Sequence, residues 1–135
     1  LLRYAPAATE IRWDGADEAD LLRVCAARLR AGGEGGVSCA AAPRHELAKL
    51  LRAAGLAVTV ETDDALIARL AGTPGARVRA VGSAPAQRPD LAVYDEPVTG
   101  APEVELPPFL REQAVTATAH RFGTPWPVAD EALGR

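Results

Sequence analysis

Three places in this sequence put reactive residue types close together. Cys39 and His45 set a thiol near an imidazole, the pairing that activates a nucleophile when the two share a hydrogen bond. They straddle a strand end and a helix start, and nothing else nearby completes a site. A core thiol and a surface histidine account for the same residues. His120 and Arg121 form the second place; an arginine fork suits a carboxylate or phosphate. No second catalytic partner stands beside them. With Glu112 and Gln113 they read as hydrogen-bonding anchors that fix a terminal segment to a neighbouring surface. The third is the glycine run Gly32, Gly33, Gly35 and Gly36. A dinucleotide loop needs its glycines after a strand and before a helix, where backbone approaches a pyrophosphate at the helix N-terminus. These glycines follow a helix and precede a strand. The strand-to-helix turn that would carry such a loop is instead DGADEAD, with one glycine and the acids Asp14, Asp17, Glu18 and Asp20, which repel phosphate. Cys25 and Cys39 are too far apart for a zinc signature and read as buried reduced thiols. The chain therefore presents no catalytic, cofactor-binding or metal-ligating residue.

The elements that position these residues follow from periodicity. Thr9 to Trp13 alternates as a short strand. Asp17 caps a helix to about Ala31, with Leu21, Leu22, Cys25 and Leu29 inward and Gly32-Gly33 as its stop. Val37 to Ala41 is a buried strand. Pro43 opens a second helix with the stripe Leu47, Leu50, Leu51 and Ala54. Ala57 to Glu61 is a strand by its β-branched content. Thr62 or Asp63 caps a third helix with Leu66, Ile67 and Leu70 inward. Ala76 to Val81 is a strand with Val78 opposite Arg77 and Arg79, a pattern of one wet face or an edge. Leu91 to Asp95 is a further strand, and Val98 to Leu106 folds back as a hairpin around Gly100 to Pro102. Alternating strands and helices with short links predict an α/β fold: a mostly parallel sheet flanked by helices, with right-handed crossovers, a C-terminal hairpin and an extended tail.

Composition bounds the rest. The 135 residues suit one domain. Net charge is -3 with arginines scattered among acids, whereas a nucleic-acid surface would show a basic stripe. No apolar run is long enough to span a bilayer, and there is no basic-then-apolar leader. The expected location is the cytoplasm. The absence of methionine, even at position 1, reads as a piece of a longer protein.

The segment Val104 to Pro125 stands apart: VELPPFLREQAVTATAHRFGTP. Pro107 and Pro108 spoil it as a core strand. Its apolar residues Phe109, Leu110, Val115 and Phe122 alternate with polar ones, so it must lie against something. The runs Pro108 to Val115 and Thr118 to Gly123, with Asp90 to Tyr94, Pro97 to Thr99 and the opening Arg3 to Pro6, resemble the extreme C-terminus of bifunctional proline-utilization enzymes, in a form similar to actinobacterial ones. These fuse proline dehydrogenase to L-glutamate γ-semialdehyde (pyrroline-5-carboxylate) dehydrogenase. The match is specific over about Asp90 to Pro125 and only architectural over Thr9 to Val81.

The resemblance implies a non-catalytic, Rossmann-like domain of the aldehyde dehydrogenase superfamily. Its terminal motif covers the tunnel by which an intermediate passes from the flavin site to the NAD site. FAD, NAD and the catalytic residues belong to preceding dehydrogenase domains, the expected partners. The organisation is then a connector (1–8), an α/β core (9–97), a hairpin and tail motif (98–125) and a frayed terminus (126–135). The tail's docking residues are Phe109, Leu110, Glu112, Gln113, Val115, His120, Arg121, Phe122 and Gly123. A small-ligand or nucleotide-binding module, and a module that oligomerises through the tail, remain alternatives.

Overall fold

The computed structural model describes residues 2–114. The chain divides into two units, Pro6–Leu110 and Leu1–Ala5 with Arg111–Arg135. The second unit contributes most of a two-stranded sheet of β1 (Leu2–Pro6) and β7 (Leu110–Ala114). β1 lies within the stretch expected as a connector.

The first unit is built on a five-stranded parallel sheet. Its strands are β2 (Thr9–Trp13), β3 (Val37–Cys39), β4 (Val58–Val60), β5 (Arg77–Val81) and β6 (Ala92–Tyr94), in the order β4-β3-β2-β5-β6. Helices α1 (Glu18–Ala31), α2 (His45–Ala53) and α3 (Asp63–Leu70) connect the first four of these. The alternation expected from the sequence is present. Among the described residues no helix is long and apolar enough to cross a membrane.

Local chemistry sets the helix ends. Asp17 accepts from the Asp20 amide at 3.0 Å, and Thr62 from the Ala65 amide at 3.1 Å. Gly32 ends α1 with φ of 80°, a left-handed conformation that glycine adopts without strain. The other glycines of that run serve packing. A Cβ on Gly35 would strike the backbone of Thr9, and one on Gly36 that of Ala57.

Strand order reverses at β2, so crossovers of one hand place α1 and α2 on one face and α3 on the other. The core divides accordingly. One cluster joins Ile11, Trp13, Val37 and Cys39 of the sheet to Leu21, Val24 and Cys25 of α1 and Leu47 and Leu51 of α2, and includes Phe109. The other joins Val78 and Leu91 to Leu66 of α3.

Several expectations need correction. The buried face of α1 is Leu21, Val24, Cys25 and Arg28, while Leu22 and Leu29 are 39% and 44% exposed. Leu50, expected inward on α2, is exposed, and Ala48 is buried instead. Arg79 is buried, not wet, because the segment that carries Glu96 and Glu105 covers its face of the sheet. Val98 to Leu106 does not fold on itself as two strands. Pro102–Glu105 is a short helix (α4), followed by a 3-10 turn at Pro107–Phe109. A proline at the first helical position followed by acids favours this start. The two-stranded C-terminal ribbon forms with β1 as the partner.

Candidate functional site

In an open α/β sheet, ligands bind outside the carboxyl ends of the strands where the strand order reverses. Here that place is a crevice of about 320 Å³ lined by Arg12, Asp14, Ala40, Thr62, Asp63, Asp64 and Ser83. The protein's own carboxylate occupies its donors. Asp14 accepts from the Ser83 amide at 2.8 Å and from the Ala16 amide at 2.9 Å. The Ser83 hydrogen bond is the leading cause that holds the Asp14 carboxyl below its ordinary value. Gly82, with φ of 89°, brings its backbone so close that a Cβ would collide with this carboxylate. The amides that would cradle a phosphate are thus turned to an internal acid.

Arg12 forms the rear of the crevice and is spoken for. Its side chain is 4% exposed and pairs with Asp63 at 2.7 Å. It also donates to the Ser38 hydroxyl at 2.8 Å and to the Glu61 carbonyl at 2.9 Å. The network runs on under α3. The Ser38 hydroxyl donates to Glu61 at 2.8 Å, and Arg69 joins Glu61 to Glu10. Glu10 in turn accepts from the Gly36 amide at 3.1 Å. The Arg69 hydrogen bond chiefly, then that of Ser38, holds the Glu61 carboxyl below its usual range. Charges on the sheet's second face are therefore paired and hydrogen-bonded, as burial requires.

A second polar cluster fastens the segment that leads out of the core. Arg79 and Glu105 pair at 3.1 Å with side chains 3% and 5% exposed. Arg79 also donates to the Ala80 and Glu96 carbonyls, each at 2.8 Å. Glu105 accepts from the Thr99 amide at 2.8 Å. The Thr9 hydroxyl donates to the Pro108 carbonyl at 2.7 Å, the Ala7 amide to Phe109 at 2.8 Å, and Arg77 to the Leu110 carbonyl at 2.6 Å. Phe109 is completely buried. One aromatic anchor and a set of hydrogen bonds so fix the point where the chain leaves the core.

The residues expected to dock the tail separate here. Phe109 is committed to this domain's own core, and Leu110 is half-buried. In the second unit Glu112 is exposed, and Gln113 accepts from the Arg3 guanidinium at 3.2 Å. Val115, His120, Arg121, Phe122 and Gly123 lie outside the described residues.

The Cys39–His45 pair does not assemble: Cys39 is wholly buried and His45 is exposed at the start of α2. Burial raises the Cys39 thiol. Burial, then the nearby Cys39, pushes Cys25 up to about 12. Such thiols are not nucleophiles. Among the described residues no group of His, Cys, Asp and Glu is placed to hold a metal.

Sequence reasoning missed Arg12, Glu61, Arg69, Arg79 and Glu105. The available signal was charged residues inside short strands of a two-sided sheet, Glu10 and Arg12 in β2 and Arg79 in β5. Their partners are distant in sequence. A scan of family models and searches of curated proteins and of solved structures found nothing that matches this chain.

Proposed function

We propose that this chain is the non-catalytic C-terminal domain of a bifunctional proline-catabolic oxidoreductase of the cytoplasm. In this reading it stabilises the enzyme's fold, and its terminal segment covers the tunnel between an FAD site and an NAD site in preceding domains. The resemblance of Asp90 to Pro125 supplies the family. The observation that carries the reading is the distribution of polar groups. At the crevice where such a fold takes a nucleotide, Asp14 engages the Ser83 and Ala16 amides, while Arg79, Glu105, Thr9 and Arg77 are devoted to holding residues 96–110. A domain arranged in this way supports a terminal segment and leaves the chemistry to others. A covering segment works by sequestration: it keeps a reactive aldehyde out of bulk water.

The test is removal of residues 111–135 from the bifunctional enzyme. Coupled conversion of proline to glutamate falls, and each half-reaction assayed alone is retained. Equal loss in all three assays would mean global unfolding and would defeat the proposal.

The crevice favours one other reading, a small-ligand or nucleotide-binding module. Titration calorimetry with NAD separates the two. The proposal expects no heat of binding, and micromolar affinity would favour the alternative.

A further inference from the structure

The five-stranded sheet ends in two unlike edges, β6 and β4. At β6 the Gln87 side chain donates to the Val93 carbonyl at 3.4 Å, and Pro89 and Pro97 bracket the strand. Prolines, charges and covering side chains are the usual guards of an edge. β4 has none of them: it is Val58, Thr59 and Val60. Its ladder to β3 shows which backbone groups are spent. The Ala57 carbonyl accepts from the Val37 amide at 2.8 Å, and the Glu61 amide donates to the Cys39 carbonyl at 3.0 Å. Direction alternates along a strand, so residues 57, 59 and 61 turn their backbone groups to β3. Val58 and Val60 turn theirs outward, where no backbone group among the described residues meets them. A row of outward N–H and C=O groups is a template for one more strand.

The sequence of the edge selects that strand. Valine–threonine–valine reads the same in both directions, so an antiparallel mate of identical sequence falls into register about a two-fold axis at Thr59. Val58 then exchanges its N–H···O bonds with the partner's Val60, and Val60 with the partner's Val58. Between these pairs Thr59 meets its own copy. β-branched and threonine pairs of this kind favour a ladder. One step further out Glu61 stands opposite Ala57, so no like charges face each other. Val60 is 54% exposed and shares a face with Val58, which packs against the main core. Pairing sets Val60 beside the partner's Val58 and takes it out of water.

We infer that two copies of this chain pair through β4, antiparallel about a two-fold axis at Thr59, to make one continuous sheet. The partner is a second copy of this domain, and the contact is distinct from the C-terminal segment. This inference does not depend on the proposed enzymatic context.

The experiment measures the mass of the chain in solution by sedimentation at about 0.1 mM. The expected mass is twice the 14.1 kDa of one chain. Val60→Pro deletes an N–H that points outward and leaves every bond to β3 in place. Val60→Lys supplies the guard that the edge lacks. Each weakens association at least about tenfold while the circular dichroism spectrum is kept. Register is read by cross-linking. With diamide as oxidant, Thr59→Cys gives a disulfide-linked dimer, because opposed Cα atoms of a non-hydrogen-bonded antiparallel pair lie about 4.5 Å apart. Val60→Cys, whose opposite residue is Val58, gives little. The native thiols Cys25 and Cys39 are buried and supply only background. A monomer would overturn the inference and leave the edge to a strand of another protein. So would a dimer indifferent to both Val60→Pro and Val60→Lys, or cross-linking of Val60→Cys as complete as that of Thr59→Cys.

Discussion

Arg79 and Glu105 show how a residue that looks superficial in sequence becomes structural. An arginine alternating with valine reads as a solvent-facing position. In the fold its guanidinium lies under the segment that carries Glu96 and Glu105, so it is taken out of water and must find partners there. A buried charge left without its partner costs about 3–5 kcal/mol, although replacing both partners by apolar residues is often neutral. Arg79→Met should therefore destabilise the chain by roughly that amount in urea unfolding. Arg79→Met/Glu105→Leu should recover most of the loss; failure to recover would mean that the carbonyl hydrogen bonds of Arg79 dominate. Asp14 gives a pH signature. Its folded carboxyl titrates below the ordinary 3.8, so its contribution is present above that value and is lost as pH falls through the folded one. Glu61 acts in the same direction. Asp14→Asn should lower stability at neutral pH and flatten the fall in stability between about pH 5 and pH 2. An unchanged slope in acid unfolding would contradict the role given to its hydrogen bonds. The pairings of Arg79 with Glu105 and of Asp14 with Ser83 were not legible in the sequence, because each joins residues far apart along the chain.

At the scale of elements, the sequence is most informative where structure is local. Asp17, Thr62 and Gly32 mark their helix ends because caps are made within a few residues. The faces of α1 were less legible: Leu21 and Leu22 have equal hydrophobicity, and only the position of the sheet assigns one to the core. Leu21→Ala should cost about 2–5 kcal/mol, whereas Leu22→Ala should stay within about 0.5 kcal/mol. Equal effects in denaturant unfolding would contradict the assignment of faces. The hairpin expected at Val98 to Leu106 failed because Gly100 and Pro102 signal a turn and a helix start equally well. The helix prevails as Glu105, one turn along, finds Arg79. The 3-10 turn at Pro107–Phe109 then delivers Phe109 into the main core. Phe109→Ala should cost about 3–5 kcal/mol, measured by urea unfolding. A near-neutral effect would mean that the segment is not fastened as described.

For the whole molecule, the α/β architecture was legible because alternation of short strands with amphipathic helices admits few topologies. The reversal of strand order at β2 was not, since periodicity carries no information about which strands are neighbours. That reversal creates the one crevice where a fold of this class would take a nucleotide, and there Asp14 faces inward to the Ser83 and Ala16 amides. The sequence carried a hint in DGADEAD, whose acids argue against phosphate, but not the geometry that turns the Ser83 amide to Asp14. The role proposed for this domain is that of a non-catalytic support for a covering segment. Its most direct test adds the isolated chain to the bifunctional enzyme truncated before Leu1 and follows proline-dependent NADH formation. Restored coupling with unchanged rates for each half-reaction is the expected result. Stable binding of the chain without restored coupling would contradict it.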